Sequence, residues 1–139
     1  KRGGRLEKEV FGWIYKRFEG HTWYMQVLLN RLYEQYETVT DIRQAEFILA
    51  QLLEENTPVY QNFISLLTDN QLQLMQAIAR EGKVVMPNSG EFVKRYGLKA
   101  SSSVNTALKS LQEKELVYKS DKGYIVYDRF MALWLATLP

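Results

Sequence analysis

LKASSSVNTALKSL, residues 98–111, sets a run of three serines, an asparagine, a threonine and two lysines around an apolar stripe. Val104, Ala107, Leu108 and Leu111 recur at i, i+3, i+4 and i+7, the spacing of one helix face. Ser101 precedes that stripe, where a hydroxyl can accept an early backbone N–H and cap the helix. With the stripe buried, Ser102, Asn105, Thr106 and Lys109 face outward. The stretch therefore predicts a capped amphipathic helix with short polar groups on its free side.

Its neighbours set its role in the fold. Downstream, Leu116–Lys119 and Tyr124–Tyr127 are β-rich runs flanking Ser120-Asp121-Lys122-Gly123, the signature of a hairpin. Upstream, Thr68-Asp69-Asn70-Gln71 reads as a capping box, and Leu72, Met75, Ile78 and Ala79 carry the helix it starts, which ends at Gly82. Lys83–Gly90 reads as a loop with a short strand. A brief helix from Glu91 to Tyr96 then ends at Gly97, whose left-handed freedom suits a helix C-terminus. After the hairpin, Phe130, Leu133, Trp134 and Leu138 mark a last helix. Helix, helix, tight turn, helix, hairpin is the order of a winged helix-turn-helix.

The first half reads as helices with clear punctuation. Leu6, Val10, Ile14 and Phe18 recur every fourth residue, with Phe11 and Tyr15 beside them, and Gly20 ends the pattern. Thr22 is placed to cap a second helix through Leu28, Leu29, Leu32, Tyr33 and Tyr36. Thr40 is placed to cap a third, with Asp41 in its first turn and Ile42, Ala45, Leu49 and Leu52 on its apolar face. At Asn56-Thr57-Pro58 a new short helix is expected, with Pro58 at its first position because that N–H needs no intrahelical partner.

Composition narrows the function classes. The 139 residues are 46% hydrophobic and 24% charged, an ordinary globular balance, and no cysteine is present. Disulfides, thiolate metal sites and cysteine nucleophiles are thereby excluded, and a cytoplasmic, reducing setting is expected. No apolar run is long enough to cross a bilayer, and no secretory leader is read, so no membrane partner is expected. Residues 1–79 hold 8 Lys/Arg against 10 Asp/Glu, a balance of −2, and residues 80–139 hold 10 against 6, a balance of +4. The basic half is the one with the hairpin, and its surplus is modest for a dedicated DNA binder. The acid pairs Glu7/Glu9, Glu34/Glu37 and Glu54/Glu55 read as solvated charge, and a metal site or a catalytic set is not expected.

Residues 10–36, VFGWIYKRFEGHTWYMQVLLNRLYEQY, resemble the helical lid of P-loop ATPases of the AAA+/STAND group, most nearly the archaeal-ATPase-like family. LTDNQLQLMQAIAREGKV at 67–84 and YIVYDRFMALWL at 124–135 resemble the winged helix that follows that lid. The resemblance implies that Gly20-His21-Thr22 lies against the adenine of a bound nucleotide, with Thr22 where the family's lid has proline. It also implies a parent ATPase that uses ATP and magnesium and whose nucleotide-binding core lies outside this sequence. No G-x-x-x-x-G-K-[ST] occurs in the chain, so by itself it is expected to be no enzyme and to need no cofactor. His21, the one histidine, reads as a lid surface residue or part of the cap of the helix that follows.

The sequence thus predicts a mostly α chain. Residues 1–67 form a helical, lid-like bundle, and residues 68–139 a winged helix-turn-helix with a small β-hairpin. Two functions remain open. In one, the winged helix is a partner-binding module, engaging the ATPase core of the parent or another protein. Tyr118, Tyr124 and the Phe130–Trp134 helix would then supply an apolar surface. In the other, helix 101–114 enters the groove of duplex DNA. Ser102, Asn105, Thr106 and Lys109 would face the duplex, Lys99 would contact phosphate, and the 119–123 wing would add Lys119 and Lys122. No arginine lies on that helix face, although arginine to guanine is the commonest specific contact.

Overall fold

The computed structural model describes residues 5–139. Among them the chain is mostly helical and divides into two compact units, one ending at Asn56 and one running from Thr57 to Pro139.

In the first unit, β1 (Arg5–Leu6) pairs in parallel with β2 (Thr38–Val39), Leu6 opposite Val39. Helices α1 (Lys8–Phe18) and α2 (Thr22–Gln35) connect the strands, and α3 (Ile42–Ile64) follows. Val10, Ile14, Phe18, Met25, Leu28, Leu32, Val39, Ala45, Ile48, Leu49, Leu52 and Leu53 are its buried set. The strands have no counterpart in the sequence reading, which puts Leu6 on a helix; two-residue strands leave no periodic trace. Phe11 and Tyr15, expected beside the α1 stripe, are 43% and 54% exposed. Thr22 is the first helical residue and not the cap: His21 takes the cap position and makes no side-chain cap bond. At α3 the expected cap shifts by one. Asp41 accepts the Arg43 N–H at 2.9 Å, and Gln44 Oε1 accepts the N–H groups of Thr40 and Asp41 at 2.8 and 3.0 Å.

Helix α3 also overturns the expected break at Asn56-Thr57-Pro58, because it runs on to Ile64 with Pro58 inside it. Proline offers no N–H to the carbonyl of Glu54, which normally ends a helix. Both residues are exposed, so water can take the place of the missing donor. The gain lies beyond the proline, in the second unit. Tyr60 is buried with its ring 5.2 Å from that of Trp134, and Trp134 Nε1–H donates to Thr57 Oγ1 at 3.1 Å. This anchoring puts the division of the chain at 56/57, earlier than the 67/68 expected from the sequence.

The second unit is built on α4 (Asp69–Glu81), whose capping box forms in full: Gln71 N–H to Thr68 Oγ1 at 3.2 Å, and Thr68 N–H to Gln71 Oε1 at 3.1 Å. Leu74, Met75, Ala77 and Ile78 are buried, a face turned slightly from the expected Leu72, Met75, Ile78 and Ala79 because α4 packs on two helices at once. Those helices are α6 (Ser101–Glu113), burying Val104, Ala107, Leu108 and Leu111, and α7 (Arg129–Thr137), burying Phe130, Met131, Ala132, Trp134 and Leu135. Between α4 and α6 lies the short α5 (Gly90–Arg95), capped by Ser89 Oγ. Gly97 at φ +64° closes α5, its N–H reaching the Lys94 carbonyl at 3.3 Å while the Leu98 N–H reaches Val93 at 2.9 Å. Ser101 does not cap α6. Ala100 holds the cap position, and the Ser101 hydroxyl donates to the Asn88 carbonyl at 2.8 Å, tying the helix start to the preceding loop.

β3 (Val117–Ser120) and β4 (Gly123–Val126) form the antiparallel hairpin, Val117 opposite Val126 and Ser120 opposite Gly123. Val84 adds a one-residue third strand, exchanging bonds of 3.0 and 2.7 Å with Tyr124. Gly123 permits this approach. Its φ is +128°, and a Cβ there would lie 2.8 Å from the Val84 carbonyl oxygen. Gly123→Ala is therefore expected to lose roughly 2 kcal/mol in chemical denaturation, with the Val84 amide losing its exchange protection first.

The turn from α6 into β3 repeats the α5 ending without a glycine. Glu115 has φ +61°, its N–H bonded to Gln112 and the Leu116 N–H to Leu111, both at 3.0 Å. A side chain in this region costs energy that glycine avoids. Glu115→Gly is expected to stabilise the chain by about 0.5–1 kcal/mol, read as a higher denaturation midpoint at unchanged m.

Candidate functional site

α6 presents the residues expected on its free face. Ser102, Asn105, Thr106 and Lys109 are all exposed, opposite the buried Val104–Leu111 stripe. Thr106 spends its hydroxyl proton on the Ser102 carbonyl at 3.2 Å, so toward a ligand it offers acceptor lone pairs. Lys99, in the turn before α6, and Lys122, at the hairpin tip, are exposed. Lys119 holds its ammonium 5.7 Å from the ring centre of Tyr124, a cation–π contact across the hairpin. The hairpin turn is stiffened by Ser120, whose hydroxyl donates to the Gly123 carbonyl at 2.7 Å and accepts the Lys122 N–H at 3.1 Å. The seven lysine and small polar positions on and flanking the α6 face thus share one unit and stay open to solvent, while Asp121 and Glu113, also exposed, dilute their charge.

Arg95 of α5 does not add to that surface, because it is spent in an ion pair with Glu81 at 2.6 Å and another with Glu91 at 3.2 Å. The Tyr96 hydroxyl also donates to the Glu81 carboxylate. This cluster ties the end of α4 to α5.

The three lid-motif residues lie together at the α1–α2 turn of the first unit. Gly20 has φ +78°, and a Cβ there would meet the Tyr15 hydroxyl at 3.1 Å. His21 and Thr22 are exposed, the imidazole edge-on to Tyr24 at 6.3 Å, and Trp23 is edge-on to the same ring at 5.0 Å while 66% exposed. No group of three or more metal-ligating side chains occurs among the described residues, and no described helix is long and apolar enough to cross a membrane.

The apolar surface expected of Tyr124 and the Phe130–Trp134 helix lies elsewhere. Phe130 and Trp134 are core residues at 7% and 5% exposure, and Tyr124 is half-buried. Tyr118 does face outward, and with it stand Tyr127, 64% exposed and edge-on at 5.7 Å, and Phe63, 48% exposed. Two adjoining grooves of ≈ 240 and ≈ 470 Å³ open here, sharing Tyr127 and Glu115 in their linings. The sequence reading misses Phe63, Tyr127 and Glu115. One signal was available for Tyr127: it follows the inward Val126 in an alternating strand, so it must point out.

The Glu81 cluster carries a pH signature. The Tyr96 hydroxyl first, and the Arg95 guanidinium after it, hold the Glu81 carboxyl below the ordinary glutamate range against the upward push of partial desolvation. A folded-state pKa below the unfolded one gives stability that is present above the unfolded value and lost as pH falls through the folded one. Tyr96→Phe is expected to lower the neutral plateau of a Tm-against-pH curve and flatten its acid limb, the variant and the wild type converging at low pH.

The family model described as "Probable winged helix domain" matches residues 58–137, more than half of the chain, and its first residue is the Pro58 that begins the anchored end of α3. No curated protein and no solved structure matches the chain. Three helices, a two-stranded wing and the extent of that match together make the chain a member of this winged-helix family.

Proposed function

We propose that the chain is the partner-binding and switching end of a larger P-loop ATPase, its winged helix engaging a protein surface, with the ATPase core of the parent as the first candidate. The observation that carries the partner reading is the exposed aromatic set Phe63, Tyr118 and Tyr127 beside two grooves, on a domain whose cationic surplus is modest and partly spent. Exposed aromatic residues around a concave surface mark protein contacts more than phosphate contacts. The ATPase parentage rests on the lid-like stretch 10–36. In this reading Gly20, His21 and Thr22 meet the adenine, ATP and magnesium are held by the core, and this chain performs no chemistry itself.

A second reading is favoured by one specific observation: Lys99, Lys109 and Lys122 carry no ion pair among the described residues, and they flank the polar α6 face. In that reading α6 enters a major groove and the wing contacts the backbone. Fluorescence anisotropy with mixed-sequence duplex DNA, between roughly 50 and 200 mM salt, separates the two readings. The partner reading expects no binding, and equal behaviour of a Lys109/Lys119/Lys122 triple alanine variant. Salt-sensitive binding that the triple variant loses would overturn it in favour of DNA.

A further inference from the structure

The two grooves have a charge as well as an apolar character. The smaller is floored by Met75, Leu116, Val126 and Met131 and edged by Phe63 and Tyr127; the larger lies between the end of α6 and Tyr118. Methionine floors adapt to the side chain they receive. Two carboxylates, Glu115 and Asp128, stand in the lining against one cation, Lys114. Asp128 uses Oδ1 to cap α7, accepting the Met131 N–H at 3.1 Å. The C-terminal end of α6 adjoins the same grooves through Gln112, and its last carbonyls add partial negative charge.

Glu115 is the informative residue. It sits in the left-handed region that glycine occupies more cheaply, makes no ion pair among the described residues, and lines both grooves. The fold needs no side chain at this position, so what glutamate adds there is a carboxylate at the point where the grooves join.

We propose, on the partner-binding reading above, that these grooves dock a short peptide segment of a partner protein in which a large apolar side chain lies beside a lysine or arginine. The apolar group enters between Phe63, Tyr118 and Tyr127, and the cation pairs with Glu115 and Asp128. An anionic ligand is disfavoured by the same carboxylates.

The test is selection from a random twelve-residue peptide library on the full chain. Enriched peptides are expected to share a Leu, Ile, Met, Phe or Trp anchor with a nearby Lys or Arg. They are expected to bind about tenfold more weakly to Tyr127→Ser and to Glu115→Gly. Glu115→Gly is expected to melt higher than the wild type, and with that melt measured alongside, weaker binding by the variant cannot come from unfolding. No enrichment, enrichment of acidic peptides, or binding untouched by both variants overturns the proposal. A concentration-dependent dimer in sedimentation that Tyr127→Ser dissolves assigns the grooves to a second copy and overturns it as well. The DNA anisotropy reports separately on the partner reading, so failure of that reading and failure of the groove assignment give different results.

Discussion

The second unit depends on α4 being buried on two sides. Leu74, Met75, Ala77 and Ile78 lie against α6 and α7, and each large side chain so buried contributes roughly 1.5–3 kcal/mol relative to exposure. A helix in that position must also satisfy its ends. At its start the Thr68–Gln71 box does so, and Gln71 then donates to Ser110 Oγ at 2.9 Å, so the cap of α4 also fixes the register of α6. Near its end, Gln76 Nε2 donates to the Leu138 carbonyl at 3.1 Å and Arg80 donates to the same oxygen, which satisfies a carbonyl just past the end of α7. Both exposed faces of the second unit are hung on this helix.

Two surfaces result, and they differ in chemistry. The free face of α6 and the wing tip carry hydroxyls, an amide and lysines. The grooves at the other end of α6 carry aromatic rings, methionine and carboxylates. One helix separates them because its N-terminal half projects Ser102, Asn105 and Thr106, while its C-terminal end turns through Glu115 into the hairpin. The hairpin alternation then sends Val117 and Val126 inward and Tyr118 and Tyr127 outward. The aromatic face is therefore a consequence of strand register, as the lysine-bearing wing is a consequence of the tight Ser120–Gly123 turn.

The first unit shows how far local signals carry. Gly20 ends α1 where its left-handed backbone is needed, and the burial of Val10, Ile14 and Phe18 follows their four-residue spacing. Phe11 and Tyr15 show the limit: periodicity says which residues share a side of a helix, but not how wide a side the neighbours cover. The caps show a second limit. Thr22, Thr40 and Ser101 are all good caps by composition, yet His21, Asp41 and Ala100 hold those positions, because the entering chain decides where helical dihedrals begin.

The helical elements, the capping box, the two glycine-terminated helices of the second unit and the hairpin were legible in the residues themselves, since spacing, capping and turn chemistry act within a few positions of the chain. So was the polar, lysine-flanked face of the third helix. The continuation of α3 through Pro58, the Val84 bridge, the αL conformation of Glu115 and the grooves under Tyr127 were decided by tertiary structure. Each depends on groups distant in sequence, such as Trp134 reaching Thr57 or the Val84 backbone closing on Gly123, and short-range pattern carries no information about which distant partner will arrive.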